Sequence, residues 1–179
     1  MARIHPMKTT LVTIAMAMAL AAASRAADMT VKISDVHICC KGCVKGADAA
    51  VSKVDGAKAD VSEDDGTVTI MGPDAATVQK AADALVAAGY FGASSDPSIK
   101  ISADTGAKGQ KVKTMTITGL HLCCGKCVST VHKTVMAVPG VTGDTAAKNA
   151  KSFDVTGDFN DKDVMDALQK AGLTGKIGA

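Results

Sequence analysis

Thr30-Val31-Lys32-Ile33-Ser34-Asp35-Val36-His37-Ile38-Cys39-Cys40-Lys41-Gly42-Cys43-Val44 is the stretch from which the architecture follows. It returns 84 positions later as Thr114-Met115-Thr116-Ile117-Thr118-Gly119-Leu120-His121-Leu122-Cys123-Cys124-Gly125-Lys126-Cys127-Val128. Each copy opens with strict polar–apolar alternation, the period of a half-buried strand. Each then runs through an H-x-C-C-x-x-C cluster into a helical pattern. In the second copy Val128, Val131, Val135 and Val138 recur at spacings of three and four; in the first the same positions are Val44, Ala47, Val51 and Val54. One apolar stripe on a helix beginning at or within the C-x-x-C is the reading for both.

Working outward, Gly56 and Gly140 punctuate the helix ends. Two short strands follow in each copy, at 57–62 and 67–71, then 141–146 and 152–156, with Asp64-Asp65-Gly66 as a hairpin signal in the first. Gly72 and Gly157 are expected to close these hairpins. A second helix carries Val78, Ala81 and Leu85, or Val164 and Leu168, and ends at Ala88-Gly89 or Ala171-Gly172. A last short strand is expected at 90–93 and 173–177. The second copy is two residues shorter between Gly157 and Leu168. The order strand-helix-strand-strand-helix-strand predicts an α+β chain of two ferredoxin-like βαββαβ sandwiches in tandem, each an antiparallel sheet with both helices on one face. The units span residues 29–93 and 113–177; residues 94–112, rich in Ser, Asp, Gly and Lys without a sustained period, read as a flexible linker.

Residues 1–26 read differently. Arg3 and Lys8 precede an uncharged apolar run from Leu11 to Ala23, and Ser24-Arg25-Ala26 offers a small-x-small cleavage site. That is the pattern of a secretory signal peptide, its apolar core short of the roughly 20 residues that span a bilayer. The expectation is a periplasmic or secreted protein with no membrane span once the leader is removed. Removal takes three of the 20 basic residues and no acid, leaving 17 lysines against 18 acids and no arginine. With no tryptophan either, a basic–aromatic nucleic-acid surface is excluded. Units of this size bury little and profit from a metal or disulfide at the cluster.

All six cysteines lie in the two clusters, beside His37 and His121. Thiolates are soft ligands suited to Cu(I) and Zn(II). A C-x-x-C at a loop-to-helix junction lets two sulfurs converge, and the helix N-terminus stabilises their negative charge. Two sulfurs suffice for Cu(I), whereas tetrahedral zinc wants four ligands. Cys39, Cys123, His37 and His121 are candidates to complete such a set if the loop folds back. Cys39 and Cys123 read equally as buried apolar groups, and the histidines equally as loop residues. The other open reading of the C-x-x-C pairs is a local disulfide or redox dithiol. His132 is expected to face solvent. Met29, Met71, Met115, Met136 and Met165 are scattered and read as packing.

The strand–CxxC–helix unit resembles the heavy-metal-associated domain, the βαββαβ module of copper chaperones and of the N-terminal arms of metal-transporting P-type ATPases. That family's loop, G-M-x-C-x-x-C, places its two ligand cysteines on Cys40 and Cys43 in one copy and on Cys124 and Cys127 in the other. The resemblance covers nearly all of residues 29–93 and 113–177. It implies one soft cation per domain, usually Cu(I), held near the surface for transfer to a metal transporter or metalloprotein acceptor. The chain departs from the motif by placing His37 and His121 at the glycine, Ile38 and Leu122 at the methionine, and Cys39 and Cys123 at the variable position. No Ser-His-Asp set, phosphate loop or paired catalytic carboxylates stand out, so the expectation is a metal-binding protein and not an enzyme. Its ligands are Cys40, Cys43, Cys124 and Cys127, with Cys39, Cys123, His37 and His121 as additions. A thiol–disulfide protein using the same cysteines is the alternative.

Overall fold

The computed structural model describes residues 28–178; the expected leader lies outside them. The first unit runs β1 (Met29–Ser34), α1 (Lys41–Val51), β2 (Lys58–Ser62), β3 (Thr67–Gly72), α2 (Ala75–Ala87) and β4 (Ala93–Ser94). The second repeats the order with β5 (Lys111–Thr118), α3 (Gly125–Met136), β6 (Val141–Asp144), β7 (Ser152–Asn160), α4 (Asp161–Lys170) and β8 (Lys176–Ile177). The sheets are antiparallel, ordered β2-β3-β1-β4 and β6-β7-β5-β8. Two ferredoxin-like α+β units in tandem are therefore present.

The alternation in β1 buries Val31 and Ile33 while Thr30 and Lys32 stay exposed. Val68 and Ile70 of β3 join them beneath Ala47 and Val51 of α1 and Val78, Ala81 and Leu85 of α2. Met115, Ile117, Phe153 and Val155 do the same under α3 and α4. The first-turn helix residues differ from the expected stripe. Cys43 and Cys127 are fully buried at its head, while Val44 and Val128 are half-buried. The stripes thus run Cys43–Ala47–Val51 and Cys127–Val131–Val135, with the expected residues buried at 47, 51, 131 and 135 and only the head position taken by the cysteine before the valine. Met115 and Met165 are buried, but Met136 is exposed at the end of α3.

Three further expectations are corrected. Gly157 does not close a hairpin: β7 continues through it to Asn160, pairing with Val112 and Lys111, with register shifts on both flanking strands. Burial of Phe159 accompanies this extension. Because β7 runs straight into α4, capped by Asn160 accepting from the Lys162 amide at 2.9 Å, the second copy dispenses with the residues that join β3 to α2. The last strands start late, at Ala93 and Lys176, because Tyr90 and Leu173 are paired with each other in an antiparallel bridge between the units.

The segment joining the units lacks regular structure but is tied at both ends, unlike the free tether expected. Ser95 exchanges two hydrogen bonds with the Lys32 backbone, and Gln79 clasps Lys100 through both its amide groups at 2.8 and 2.9 Å. Ile99 is buried. Farther on, the Asp161 carboxylate accepts from the Lys108 and Gln110 amides at 3.0 and 2.8 Å. Asp161 thus serves this segment as well as its own helix start.

Candidate metal centre

Each cluster sits where a loop turns into a helix. Cys40 and Cys124 are N-caps with extended backbone, and Cys43 and Cys127 lie three residues on, in the first helical turn. This spacing brings Cys40 Sγ within 3.7 Å of Cys43 Sγ, and Cys124 Sγ within 3.6 Å of Cys127 Sγ. Local sequence accounts for that much.

The larger feature is that the two clusters face each other. Cys39 Sγ lies 3.6 Å from Cys124 Sγ and 3.5 Å from Cys127 Sγ. Cys123 Sγ lies 3.5 Å from Cys40 Sγ and 3.4 Å from Cys43 Sγ. The two helix cysteines, Cys43 and Cys127, meet at 3.8 Å. Cys39 and Cys123 also touch their own units' Cys43 and Cys127, each at 3.7 Å. All six are free thiols. Exchanging the units maps every one of these contacts onto another, so the cluster has a local pseudo-two-fold through the Cys43–Cys127 edge. Cys39 and Cys123, open in the sequence between packing and function, are the residues that reach across.

Backbone holds this junction together. His37 and Phe91 both donate to the Gly172 carbonyl, at 3.2 and 3.1 Å, and Thr174 donates to the Gly89 carbonyl at 3.0 Å. Gly89 and Gly172 adopt positive φ at the helix ends. A Cβ on Gly89 would lie 2.7 Å from the Gly119 oxygen, and one on Gly172 would lie 2.4 Å from the Asp35 oxygen. Only glycine permits the backbones of the two units to approach so closely. Lys126 also reaches across, donating to the Cys39 carbonyl at 3.3 Å.

His37 and His121 flank the thiols, and the Nε2 atom of each is buried without a hydrogen-bond partner. A ligand atom of His37 lies in one group with Cys39 and Cys127, all within 4.8 Å. The His121 ring stacks on Tyr90 with centroids 4.8 Å apart, and the Tyr90 hydroxyl donates to the Cys43 carbonyl at 2.9 Å. A buried polar atom left unpaired is costly, and of the two rings His37 is the one grouped with thiols that could share a ligand. His132 is exposed, as expected, and pairs with Asp144 at 2.6 Å.

A hydrogen bond from Cys127 holds the Cys43 thiol far below its ordinary range, with His121 and Cys123 adding to the effect. Cys127, which gives that hydrogen bond, is pushed far up, and burial adds to it. Burial drives Cys39 up to about 12 and raises Cys123 likewise. Burial opposes ionisation at Cys124 too, but the Cys127 amide and its thiol neighbours outweigh it and bring it down to about 6. Burial lowers the His37 imidazole pKa, with Cys43 opposing it. Soft-metal binding to such thiols displaces the protons they carry, so affinity depends on pH.

No protein-family model and no curated protein matches the sequence. Among solved structures, a copper binding domain from HMA7, a P-type ATPase, is 22% identical with a TM-score of 0.35, covering 38% of this chain and 96% of its own. The N-terminal soluble domains of Bacillus subtilis CopA are 15% identical with a TM-score of 0.31, covering 86% of this chain and 95% of theirs. The water soluble region of P-type ATPase CopA from Bacillus subtilis is 16% identical with a TM-score of 0.29, covering 85% and 92%. The fold assignment rests on strand order and register, not on these likenesses.

Proposed function

We propose that this protein binds a soft metal ion, Cu(I) ahead of Zn(II), through its cysteine thiolates, and carries or buffers it without catalysing a reaction. The observation that supports the reading is the convergence of six free thiols, separated by 3.4–3.8 Å in their mutual contacts. Metal–sulfur bonds of about 2.3 Å place ligands of one ion about 3.8–4.0 Å apart in tetrahedral or trigonal geometry, so the thiols need only a small expansion. A disulfide would instead require closure to about 2.05 Å. Cys40, Cys43, Cys124 and Cys127 are the principal ligands, supplemented by Cys39 and Cys123, with His37 and His121 beside them. Cu(I) is placed first because it accepts two or three thiolates, whereas structural zinc takes a closed set of four.

The leader read at residues 1–26 adds that the protein works after export, where bound metal also shields the thiols from oxidation. Its acceptor is a metal transporter or a metalloprotein presenting thiolates of its own. Among the described residues, no helix is long and apolar enough to cross a membrane.

Native mass spectrometry of the reduced protein, titrated without oxygen with Cu(I) and then Zn(II), tests this reading. Uptake of Cu(I), abolished in the Cys43→Ser/Cys127→Ser variant, is the expected outcome. A protein that takes up neither metal and whose mass falls two hydrogens short per oxidised pair would replace it with dithiol–disulfide cycling. The 3.4 Å approach of Cys43 and Cys123 is the first pair to examine for that chemistry.

A further inference from the structure

We infer that the six thiols form one shared polynuclear Cu(I)–thiolate site across the interface, instead of one mononuclear site in each domain. This rests on the metal-binding reading above and adds to it the nuclearity and the partnership of the two units. The sulfur contacts draw four triangles. These are Cys39–Cys124–Cys127, Cys39–Cys43–Cys127, Cys43–Cys123–Cys127 and Cys40–Cys43–Cys123. Every triangle mixes thiols of both units. A Cu(I) ion seated in any of these faces is therefore held by both domains at once.

The faces share edges, so ions in neighbouring faces share thiolates. Cys43 and Cys127 belong to three faces each, Cys39 and Cys123 to two, and Cys40 and Cys124 to one. Bridging is the ordinary response of thiolates to more Cu(I) than terminal ligation can serve, and these buried central sulfurs are placed to bridge. Filling all four faces would combine six thiolates and four Cu(I) ions into a cluster of net charge −2, releasing to solvent the protons that the thiols still carry. Copper enters and stays as Cu(I), so no electron is transferred. The His37 ring, whose Nε2 is left unpaired, lies beside Cys39 and Cys127.

Two measurements on the full chain test the inference. The first is anaerobic Cu(I) titration of the reduced protein followed by native mass spectrometry, and the second is copper X-ray absorption of the loaded protein. A shared cluster predicts cooperative passage from the apo protein to a monomer carrying more than two and up to four Cu(I), with short copper–copper scattering. Cys39→Ser removes two of the four faces and should halve that maximum, although Cys39 lies outside both C-x-x-C pairs. Gly172→Val, which leaves every thiol in place but drives side-chain atoms into the Asp35 carbonyl, should abolish cooperativity.

Stepwise filling to one ion and then two, without copper–copper scattering, would overturn the shared cluster while leaving the metal-binding reading intact. So would an unchanged maximum in Cys39→Ser, or a copper-loaded species that forms only as a dimer of chains. Uptake of Zn(II) but not Cu(I) would also overturn the shared cluster, and failure to bind either metal would remove both readings. Should Gly172→Val fail to fold, the scattering of the unaltered protein and the stoichiometry of Cys39→Ser still decide.

Discussion

Gly46 occupies the interior of α1, where alanine is ordinarily favoured by about 1 kcal/mol. Here a Cβ would lie 2.4 Å from the Tyr90 hydroxyl and 2.9 Å from His121 Cε1. Tyr90 is fully buried and hydrogen-bonded to the Cys43 carbonyl, so swinging it aside would break that bond. Gly46→Ala is therefore expected to destabilise the protein by about 1–3 kcal/mol, reversing the helix-propensity trend. Urea denaturation of the reduced, metal-free protein measures it; a raised midpoint would show that the Tyr90–His121 stack is not held in place. Combined with Tyr90→Leu, the substitution should cost less than the two single losses added together, because the second change removes the obstacle. The corresponding positions of the other copy, Thr130 and Leu173, pair a larger helix residue with a smaller partner. Tyr90 was visible in the sequence as the residue after Ala88-Gly89, but nothing local announced that His121 of the other unit would stack on it.

The connection into α4 is governed by one carboxylate. Burial alone would raise the Asp161 pKa, but amide donors at Lys108 and Gln110 outweigh it and hold the carboxyl below its ordinary value. A folded-state pKa below the unfolded one contributes stability that is present above pH about 4 and is lost as pH falls through the folded value. Asp161→Asn should flatten the acid limb of the stability profile, since the amide does not titrate. At neutral pH it should cost about 1–3 kcal/mol by turning an amide N–H toward the Lys108 or Gln110 donor. Chemical denaturation across pH 2.5 to 7 separates these effects; an unaltered acid limb would deny Asp161 its part. The helices, hairpins and alternating strands were legible because they follow from periods of 3.6 and 2 and from turn residues. Strand ends were less so. β7 overran Gly157, and β4 and β8 began late, because pairing across the chain and between units decided where each ladder stopped.

The two units meet through few groups, and the thiol cluster is central among them. If copper ties the clusters together, it stabilises the docked arrangement by mass action, as any ligand confined to one state does. The amides that cross the junction, those of His37, Phe91 and Thr174, should then exchange with deuterium at least about tenfold more slowly on loading. Amides of the outer strands β2 and β6 should change much less. Equal protection everywhere, or none at the junction, would mean that metal does not couple the two domains. The same coupling predicts that loading raises the thermal midpoint of the unaltered chain more than that of Gly172→Val, a comparison calorimetry can make.

Residues close together in the chain account for the two βαββαβ units and for the C-x-x-C pairs at the helix starts. A strand's alternation and a thiol three residues from another are short-range facts, carried by the local backbone. Chain order shows no comparable signal that Cys39 would touch Cys124, or Cys40 would touch Cys123, more than 80 positions away. That juxtaposition depends on how one folded unit docks on the other, through the Tyr90–Leu173 bridge and the glycines at 89 and 172 that let backbone meet backbone. Docking couples groups that no periodicity relates, so the cysteines appeared in sequence as two separate sites and lie in the tertiary structure as one.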